Sequence, residues 1–359
     1  METEQNPSLA TTNVVGFEAD ARHDTLQKRK ADAQHFQELP PGKTRLSREE
    51  LQAFETLGYG MFLHFGMSTF DGDEYSVGDK PTTCYAPEKL DVKQWVSAAR
   101  DAGMKYAVLT AKHTSGFCLW PSMFTDYHVG NASNTTDVIG EFVRACQECG
   151  IAPGFYYCAW DNHHRFGSIT PSMVPLAQAW TSGKYQELLW QQVEELLTSY
   201  GNFRQVWLDI PGVLPREFRN RLYRHISELQ PQTLITTNSA MDERMIYDVG
   251  YSWPADVAVI ERSLPHPYRG RKEWEIEGRR YYMPLEMCDT ISREWFYTDD
   301  DAPFSDATLL SRYLVCRSMG ANYLLNVPPD RSGRLPQMHI DALMRLQKNI
   351  EKCGVLSAK

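Results

Sequence analysis

Eight short apolar runs, each closing on a polar or aromatic cluster, recur along most of this chain. They are GMFLHFG at 60–66, KYAVLTAKH at 105–113, IAPGFYYCAW at 151–160, VWLD ending at Asp209, TLITTNS at 233–239, DVAVIE at 256–261, YYMPLE ending at Glu286 and NYLLNVPP at 322–329. Most are rich in aromatic, Val, Ile or Leu residues without strict alternation, which is how strands covered on both faces read. Such strands are parallel strands, not hairpins.

Helical periodicity fills the intervals. DVKQWVSAARDAG sets Val92, Trp95, Val96 and Ala99 on one face, with Gly103 where a helix C-terminal glycine belongs. TTDVIGEFVRACQECG repeats the plan, with Thr136 as N-cap, Val138, Phe142, Val143 and Cys146 facing inward and Gly150 as the stop. Further helices are expected at about 184–200, 215–229 and 305–319, and MHIDALMRLQKNIEK reads as a closing helix. Helix, short turn and buried strand in repetition imply right-handed βαβ units, hence an α/β fold of the (β/α)8 TIM-like barrel type. The stretch 240–280 holds Tyr247, Tyr251, Trp253, Pro254 and the charged run RGRKEWEIEGRR, fits no simple helix, and is counted as carrying the sixth strand.

A chain of 359 residues with 42% hydrophobic content suits one large domain, since such barrels use ~250 or more residues. Residues 1–45 form a polar extension broken by Pro40 to Gly42, and the catalytic barrel is expected over 46–355, opened by a short helix, SREELQAFETLG, with Ser47 and Glu50 as its capping box. The N-terminus has no secretory apolar core and no run approaches the ~20 residues of a membrane span, so a cytoplasmic protein without membrane association is expected.

A net charge of −9 disfavours a nucleic-acid partner. The basic run from Arg269 to Arg280 is interrupted by Glu273, Glu275 and Glu277 and reads as solvated surface. Of the eight cysteines, Cys118, Cys158, Cys288 and Cys316 lie in or beside apolar elements, where a thiol packs as a small hydrophobe. Cys146 and Cys149 make a CxxC late in a helix with no second pair at zinc spacing, which reads as structural. No glycine-rich phosphate loop, HExxH or GxSxG occurs.

The runs instead offer acids at strand ends, where a barrel places its chemistry, among many aromatic rings. Aromatic faces stack on the C–H faces of sugars while short polar groups fix the hydroxyls. Glycosidic cleavage with retention needs two carboxyl groups ~5 to 5.5 Å apart, and Asp209 and Glu286 could supply them from the ends of two strands on a barrel rim. The plainer readings make Asp209 a cap of the turn before Pro211 and Glu286 a surface or capping residue, with its place directly after VWL favouring the catalytic reading of Asp209, and Asp289 lies close enough to compete for the acid role.

These segments resemble the α-L-fucosidases of glycoside hydrolase family 29, roughly over residues 50–350. YGMFLHFG resembles the family's first strand, Trp95 through AGMKYAVLTAKHTSGFCLWPS to TDYHV its second strand and loop, IAPGFYYCAWDNHH its third, VWLD its fourth, and GANYLLNVPPDRSGRLP its last. The resemblance implies a retaining α-L-fucosidase that removes terminal α-L-fucosyl units from oligosaccharides or glycoconjugates by double displacement. Asp209 then matches the nucleophile and Glu286, in LEMCDTISREWFY, the acid/base. His64 and His113 would bind fucose hydroxyls, Glu74 and Tyr75 match the acidic-aromatic pair after the first strand, Tyr156 or Tyr157 would flank the nucleophile, and Trp160 would line the rim. Trp207, Trp253 and Trp295 complete the substrate-binding set, and the fucose methyl would need an apolar niche from Phe65, Trp253 or Phe296. No metal or organic cofactor is implied. His163 and His164 read as loop residues.

The chain departs from the family pattern at Ile210, where glycine is usual, and at Thr114-Ser115, where a second histidine or a threonine and aspartate are common. It also ends soon after NVPPD, so no C-terminal β-sandwich is expected. Two other readings stay open: a related retaining glycosidase or transglycosylase on another sugar, and a non-catalytic fucose-binding barrel.

Overall fold

The computed structural model describes residues 39–164, 181–238, 249–263 and 272–354. The polar extension up to residue 38, Tyr247 and the basic run up to residue 271 lie outside the described residues.

Helix α1 (Arg48–Glu55) begins on the expected capping box. Ser47 Oγ accepts from Glu50 N at 3.1 Å, and Glu50 Oε2 accepts from Ser47 N at 2.7 Å, so two donors at the helix start are satisfied reciprocally. The chain then alternates strand and helix: β1 (Tyr59–Leu63), α2 (Met67–Asp71), α3 (Val92–Asp101), β2 (Tyr106–Lys112), α4 (Val138–Cys149), β3 (Ala152–Cys158), α5 (Gly183–Ser199), β4 (Gln205–Asp209), α6 (Arg216–Leu229), β5 (Leu234–Thr237), α7 (Val249–Ser252) and β6 (Ala258–Glu261). After β7 (Glu273–Ile276) and β8 (Arg279–Tyr282) come β9 (Leu285–Thr290), α8 (Asp306–Ser318), β10 (Asn322–Asn326) and α9 (Gln337–Lys352).

Eight of these strands form one parallel sheet in the order β5-β4-β3-β2-β1-β10-β9-β6. A parallel bridge between Thr236 and Val257, with Asp256 N donating to Ile235 O at 2.7 Å, joins β5 to β6 and closes the barrel expected from the sequence. Strands β1, β2, β9 and β10 are buried at every position, because one face packs the interior and the other the helices. That double burial is why the apolar runs lack alternation.

Two sequence expectations shift. Asp137, not Thr136, caps α4, its Oδ1 accepting from Gly140 N at 3.0 Å. The run YYMPLE is not one strand. Its tyrosines belong to β7–β8, a two-stranded sheet, and Pro284, which has no N–H to give a ladder, separates them from β9. Glu286 therefore lies second in a strand instead of ending one.

The chain divides into a main unit, Thr44–Trp274 with Tyr282–Lys359, and a small one, Met1–Lys43 with Glu275–Tyr281. In the small unit Gly42 N donates to Arg280 O at 2.7 Å and Arg280 N to Pro40 O at 2.9 Å. All eight cysteines of the chain fall among the described residues and all are free. No helix among the described residues is long and apolar enough to cross a membrane.

A buried ion pair ties the end of β2 to the turn after β3. Lys112 Nζ donates to Asp161 Oδ2 at 2.6 Å, with both side chains 0% exposed. The pyrrole-type Nδ1 of His164 faces the same oxygen at 2.8 Å, and His164 N donates to Asp161 Oδ1 at 2.9 Å. Burial pushes the Asp161 carboxyl up, but Lys112 and His164 outweigh it and hold it below the ordinary aspartate range. Its stabilisation is thus present above the unfolded-state pKa and is lost as pH falls below it. Replacing Lys112 by Met leaves a carboxylate buried without its cation. Equilibrium urea unfolding is expected to show a loss of about 3 to 5 kcal/mol, with a raised midpoint of acid unfolding.

Candidate active site

The C-terminal ends of β4, β5 and β6 bring together Asp209, Asn238 and Glu261. Along β4, Gln205, Trp207 and Asp209 alternate with outward residues, so all three point into the barrel and Asp209 is uppermost. Tyr156 OH donates to Asp209 Oδ2 at 2.6 Å, and Asn238 Nδ2 donates to its Oδ1 at 3.0 Å. Burial raises the Asp209 carboxyl, opposed by the bonds from Tyr156, Asn238 and the Ile210 backbone.

The same Asn238 Nδ2 donates to Glu261 Oε2 at 2.7 Å. The two carboxyl oxygens bonded to this nitrogen are therefore under about 6 Å apart, an upper bound that lies below the separation of inverting glycosidases and accommodates that of retaining ones. Burial, followed by the charge of Asp209, pushes the Glu261 carboxyl up to about 8. One acid is thus held by donors and the other is held protonated near neutrality.

Glu286 lies elsewhere. It is the second residue of β9, in register with Val259 and Asn322, whereas Glu261 is level with Cys288, two positions higher. Its side chain is fully buried, accepting from Tyr106 OH at 2.8 Å, Gln205 Nε2 at 2.9 Å and Trp207 Nε1 at 2.9 Å. Burial raises its pKa against those three donors. Gly60 makes room for this arrangement: a Cβ there would meet the Tyr106 ring at 2.5 Å. Glu286 is a buried polar anchor in the packed interior beneath the rim, not a partner of Asp209. Asp289 is also taken, paired with Arg312 at 2.8 Å.

A wall of rings surrounds the acids. His64 is 4.9 Å from Trp295, 5.4 Å from Phe296, 5.5 Å from Tyr156 and 5.7 Å from His113 between ring centres. His113 stacks on Tyr156 at 5.4 Å and meets Phe296 edge-on at 4.9 Å. Trp207 lies under Tyr156 at 5.5 Å. Asn326 fixes the state of His64. Its Nδ2 donates to Trp295 O at 2.8 Å, which turns its Oδ1 towards His64 Nδ1, also 2.8 Å away. Nδ1 must then carry the hydrogen, leaving Nε2 as an acceptor for a hydroxyl. Burial pushes the His64 imidazole down to about 3, so it stays neutral. His113 is likewise held well below its usual value by burial and by His64.

Glu74 joins this group of acids from the loop after α2. Burial lifts its carboxyl to about 7, with a bond from the Tyr75 side chain opposing, and it feels the charges of Glu294, Arg262 and Asp209. Tyr75 is 43% exposed at the rim and feels Glu74, Glu261 and Asp209. Trp160 is buried with Nε1 donating to Asn162 Oδ1 at 2.6 Å, and Trp253 is half-buried in the turn before β6. Tyr157 faces away: its OH donates to Gln192 Oε1 of α5 at 2.6 Å and its ring carries Lys112 Nζ at 4.4 Å. Successive strand residues point to opposite faces, so only Tyr156 of the pair can reach Asp209. Phe65 also lies apart, packed with Phe70, Tyr85 and Trp95.

The departures in sequence have local consequences. Ile210 sits in the left-handed region (φ 51°, ψ 49°), where glycine is unstrained and a β-branched residue is costly. Ser115 is buried, accepting from Phe117 N at 3.3 Å, and Thr114 Oγ1 donates to Glu74 O at 3.1 Å. His163 and His164 are loop residues with partners of their own, His163 stacking on Tyr127 at 3.9 Å. Among the described residues no group of three His, Cys, Asp or Glu side chains is arranged to hold a metal ion.

Sequence reasoning missed Glu261 and Asn238. The signal was present, because DVAVIE and TLITTNS end in them as VWLD ends in Asp209.

Residues 75–354 match the family model described as Alpha-L-fucosidase. The chain is 33% identical over 310 residues to alpha-L-fucosidase 1 of Arabidopsis thaliana, covering 83% of this chain and 58% of that one. To the tissue alpha-L-fucosidase of Homo sapiens it is 25% identical over 262 residues, 71% of this chain and 52% of the relative. The chain thus spans about half the length of the curated relatives it matches. Among solved structures, alpha-L-fucosidase isoenzyme 1 from Paenibacillus thiaminolyticus superposes with a TM-score of 0.69 at 29% identity, over 85% of this chain and 76% of that one. A putative alpha-L-fucosidase from Bacteroides thetaiotaomicron gives a TM-score of 0.70 at 28% identity, over 87% and 69%. A family model matched across most of the chain, on a barrel whose strand ends gather paired acids and stacked rings, means that this chain belongs to the alpha-L-fucosidase family.

Proposed function

We propose that this protein is a retaining α-L-fucosidase in which Asp209 is the nucleophile and Glu261 the acid/base. The observation that carries this reading is the close approach of two strand-end carboxylates, one held by hydrogen-bond donors and the other protonated at neutral pH. In the first step Asp209 attacks the anomeric carbon, the glycosidic C–O bond breaks, and Glu261 gives its proton to the departing oxygen. In the second, Glu261 takes a proton from water, whose oxygen displaces Asp209. Esterified Asp209 carries no charge, so one cause of the raised Glu261 pKa disappears and Glu261 becomes a base when a base is needed.

Neutral His64, accepting through Nε2, and His113 suit the sugar hydroxyls. Phe296 and Trp295, packed against the two histidines, offer the apolar niche for the methyl group of fucose. Glu74 supplies a further carboxylate for a hydroxyl. The relatives are named as alpha-L-fucosidases, and the substrate proposed for this chain is a terminal α-L-fucosyl unit on an oligosaccharide or glycoconjugate.

Activity requires Asp209 ionised and Glu261 protonated. The pH profile of kcat/KM should therefore be a bell. It rises as pH climbs through the Asp209 pKa and falls as pH passes about 8, where Glu261 loses its proton. Hydrolysis of an aryl α-L-fucoside followed by early-time NMR tests the whole reading. Initial release of the α anomer is expected, and initial release of the β anomer would rule out double displacement.

A further inference from the structure

The acids that the proposed reaction uses stand on opposite sides of the seam that, among the described residues, carries the fewest ladder bonds of the barrel. In the sheet order β4 and β6 are far apart, and the only route between them on the short side passes through β5. Among the described residues the ladder there is sparse: one bridge at Thr236 and Val257, with Asp256 N donating to Ile235 O and Asp256 Oδ2 accepting from Ile235 N at 2.8 Å. All of these lie below the rim. At the rim, β5 has ended, and Asn238 continues it by one residue, its backbone N donating to Leu208 O at 2.9 Å. From that anchored position a single amide nitrogen reaches Asp209 on one strand and Glu261 on the other.

We propose that Asn238 is a positioning residue that staples the nucleophile strand to the acid/base strand and sets the protonation of both acids. This rests on the fucosidase reading for the roles of those acids, and on the hydrogen bonds alone for the staple. An amide NH2 has two hydrogens, one for each carboxyl. Because Glu261 Oε2 accepts from Nδ2, it behaves as the carbonyl oxygen of the acid, and the proton to be transferred resides on Oε1. Asp209 Oδ1 is likewise engaged, and the bond from Tyr156 on Oδ2 and one from the Ile210 backbone are the further constraints on the nucleophile.

A hydrogen bond given to a carboxylate favours its charged form, so losing Asn238 must raise both acids. In Asn238→Ala both limbs of the kcat/KM profile should move to higher pH. The kcat should fall about 10²-fold with KM changed little, as expected when reacting groups are misplaced by an ångström or so. Asn238→Asp has the same shape but sets a second negative charge beside Asp209, so its activity at neutral pH should fall further and recover partly as pH is lowered. A purely structural asparagine would give similar losses in both variants without moving either limb, and that result would overturn the proposal.

A second measurement does not depend on turnover. With 13C-carboxyl glutamate incorporated and Glu261 assigned through Glu261→Gln, the titration midpoint of Glu261 should rise by about one pH unit in Asn238→Ala. An unchanged midpoint overturns the staple even if wild-type enzyme is active. A shifted midpoint in a protein that hydrolyses no fucoside keeps the staple and overturns the assigned reaction.

Discussion

Replacing Asp209 by Ala is expected to lower kcat on an aryl α-L-fucoside by about 10³- to 10⁵-fold while leaving the far-UV spectrum unchanged. Among the described residues no other carboxylate takes its place: Glu261 is held largely protonated near pH 7, Glu74, raised to about 7, is only partly ionised there and reaches in from the loop after α2, and Glu286 is locked beneath Trp207. The size follows from losing covalent catalysis altogether, with binding and charge stabilisation left intact. Sodium azide fills the space of the missing carboxylate and attacks the anomeric carbon directly. It should restore rate and yield the β-fucosyl azide, because a single displacement inverts configuration. Wild-type rates in Asp209→Ala would remove this residue from the mechanism.

Glu261→Ala should show a different signature. Its effect depends on the leaving group: about 10²- to 10⁴-fold on an oligosaccharide, whose departing alcohol must be protonated, and far less on an activated aryl fucoside. The high-pH limb near 8 should vanish with the group that causes it. Azide should now trap the fucosyl-enzyme and give the α-fucosyl azide, since two displacements retain configuration. Glu286→Ala is the informative contrast. It strands three buried donors, Tyr106, Gln205 and Trp207, without a partner, so its loss should appear as about 3 kcal/mol or more of stability, with no leaving-group dependence and no azide rescue. The reverse pattern, with stability unchanged and azide rescue in Glu286→Ala, would return the acid/base role to Glu286.

Much of the barrel was legible in the chain. Doubly buried strands write continuous apolar runs, and the helices between them write a 3.6-residue period closed by Gly103, Gly150 and Gly201, each at positive φ here. Those signals are local, and so are the capping box at Ser47 and the position of Asp209 after VWL. The nucleophile candidate, the two histidines and the aromatic wall could thus be named from sequence and family resemblance.

What the sequence alone left open is which acid faces Asp209. YYMPLE and DVAVIE look alike on paper, a run of apolar residues closing on glutamate. The difference lies in where each run enters the sheet: Glu261 ends β6, whereas Pro284 detaches the tyrosines and makes Glu286 the second residue of β9. A shift of two residues along a strand is ~7 Å, enough to move a carboxyl from the rim to the packed interior. Tyr156 and Tyr157 differ by one residue, which reverses the face, and only the strand's register decides which of them meets Asp209. The sequence by itself determined the fold, its repeating units and the residue types available at the strand ends, because these follow from local periodicity. Only the tertiary structure decided which of those residues share the site, because register, strand ends and the closure of β5 on β6 are set by contacts between segments far apart in the chain.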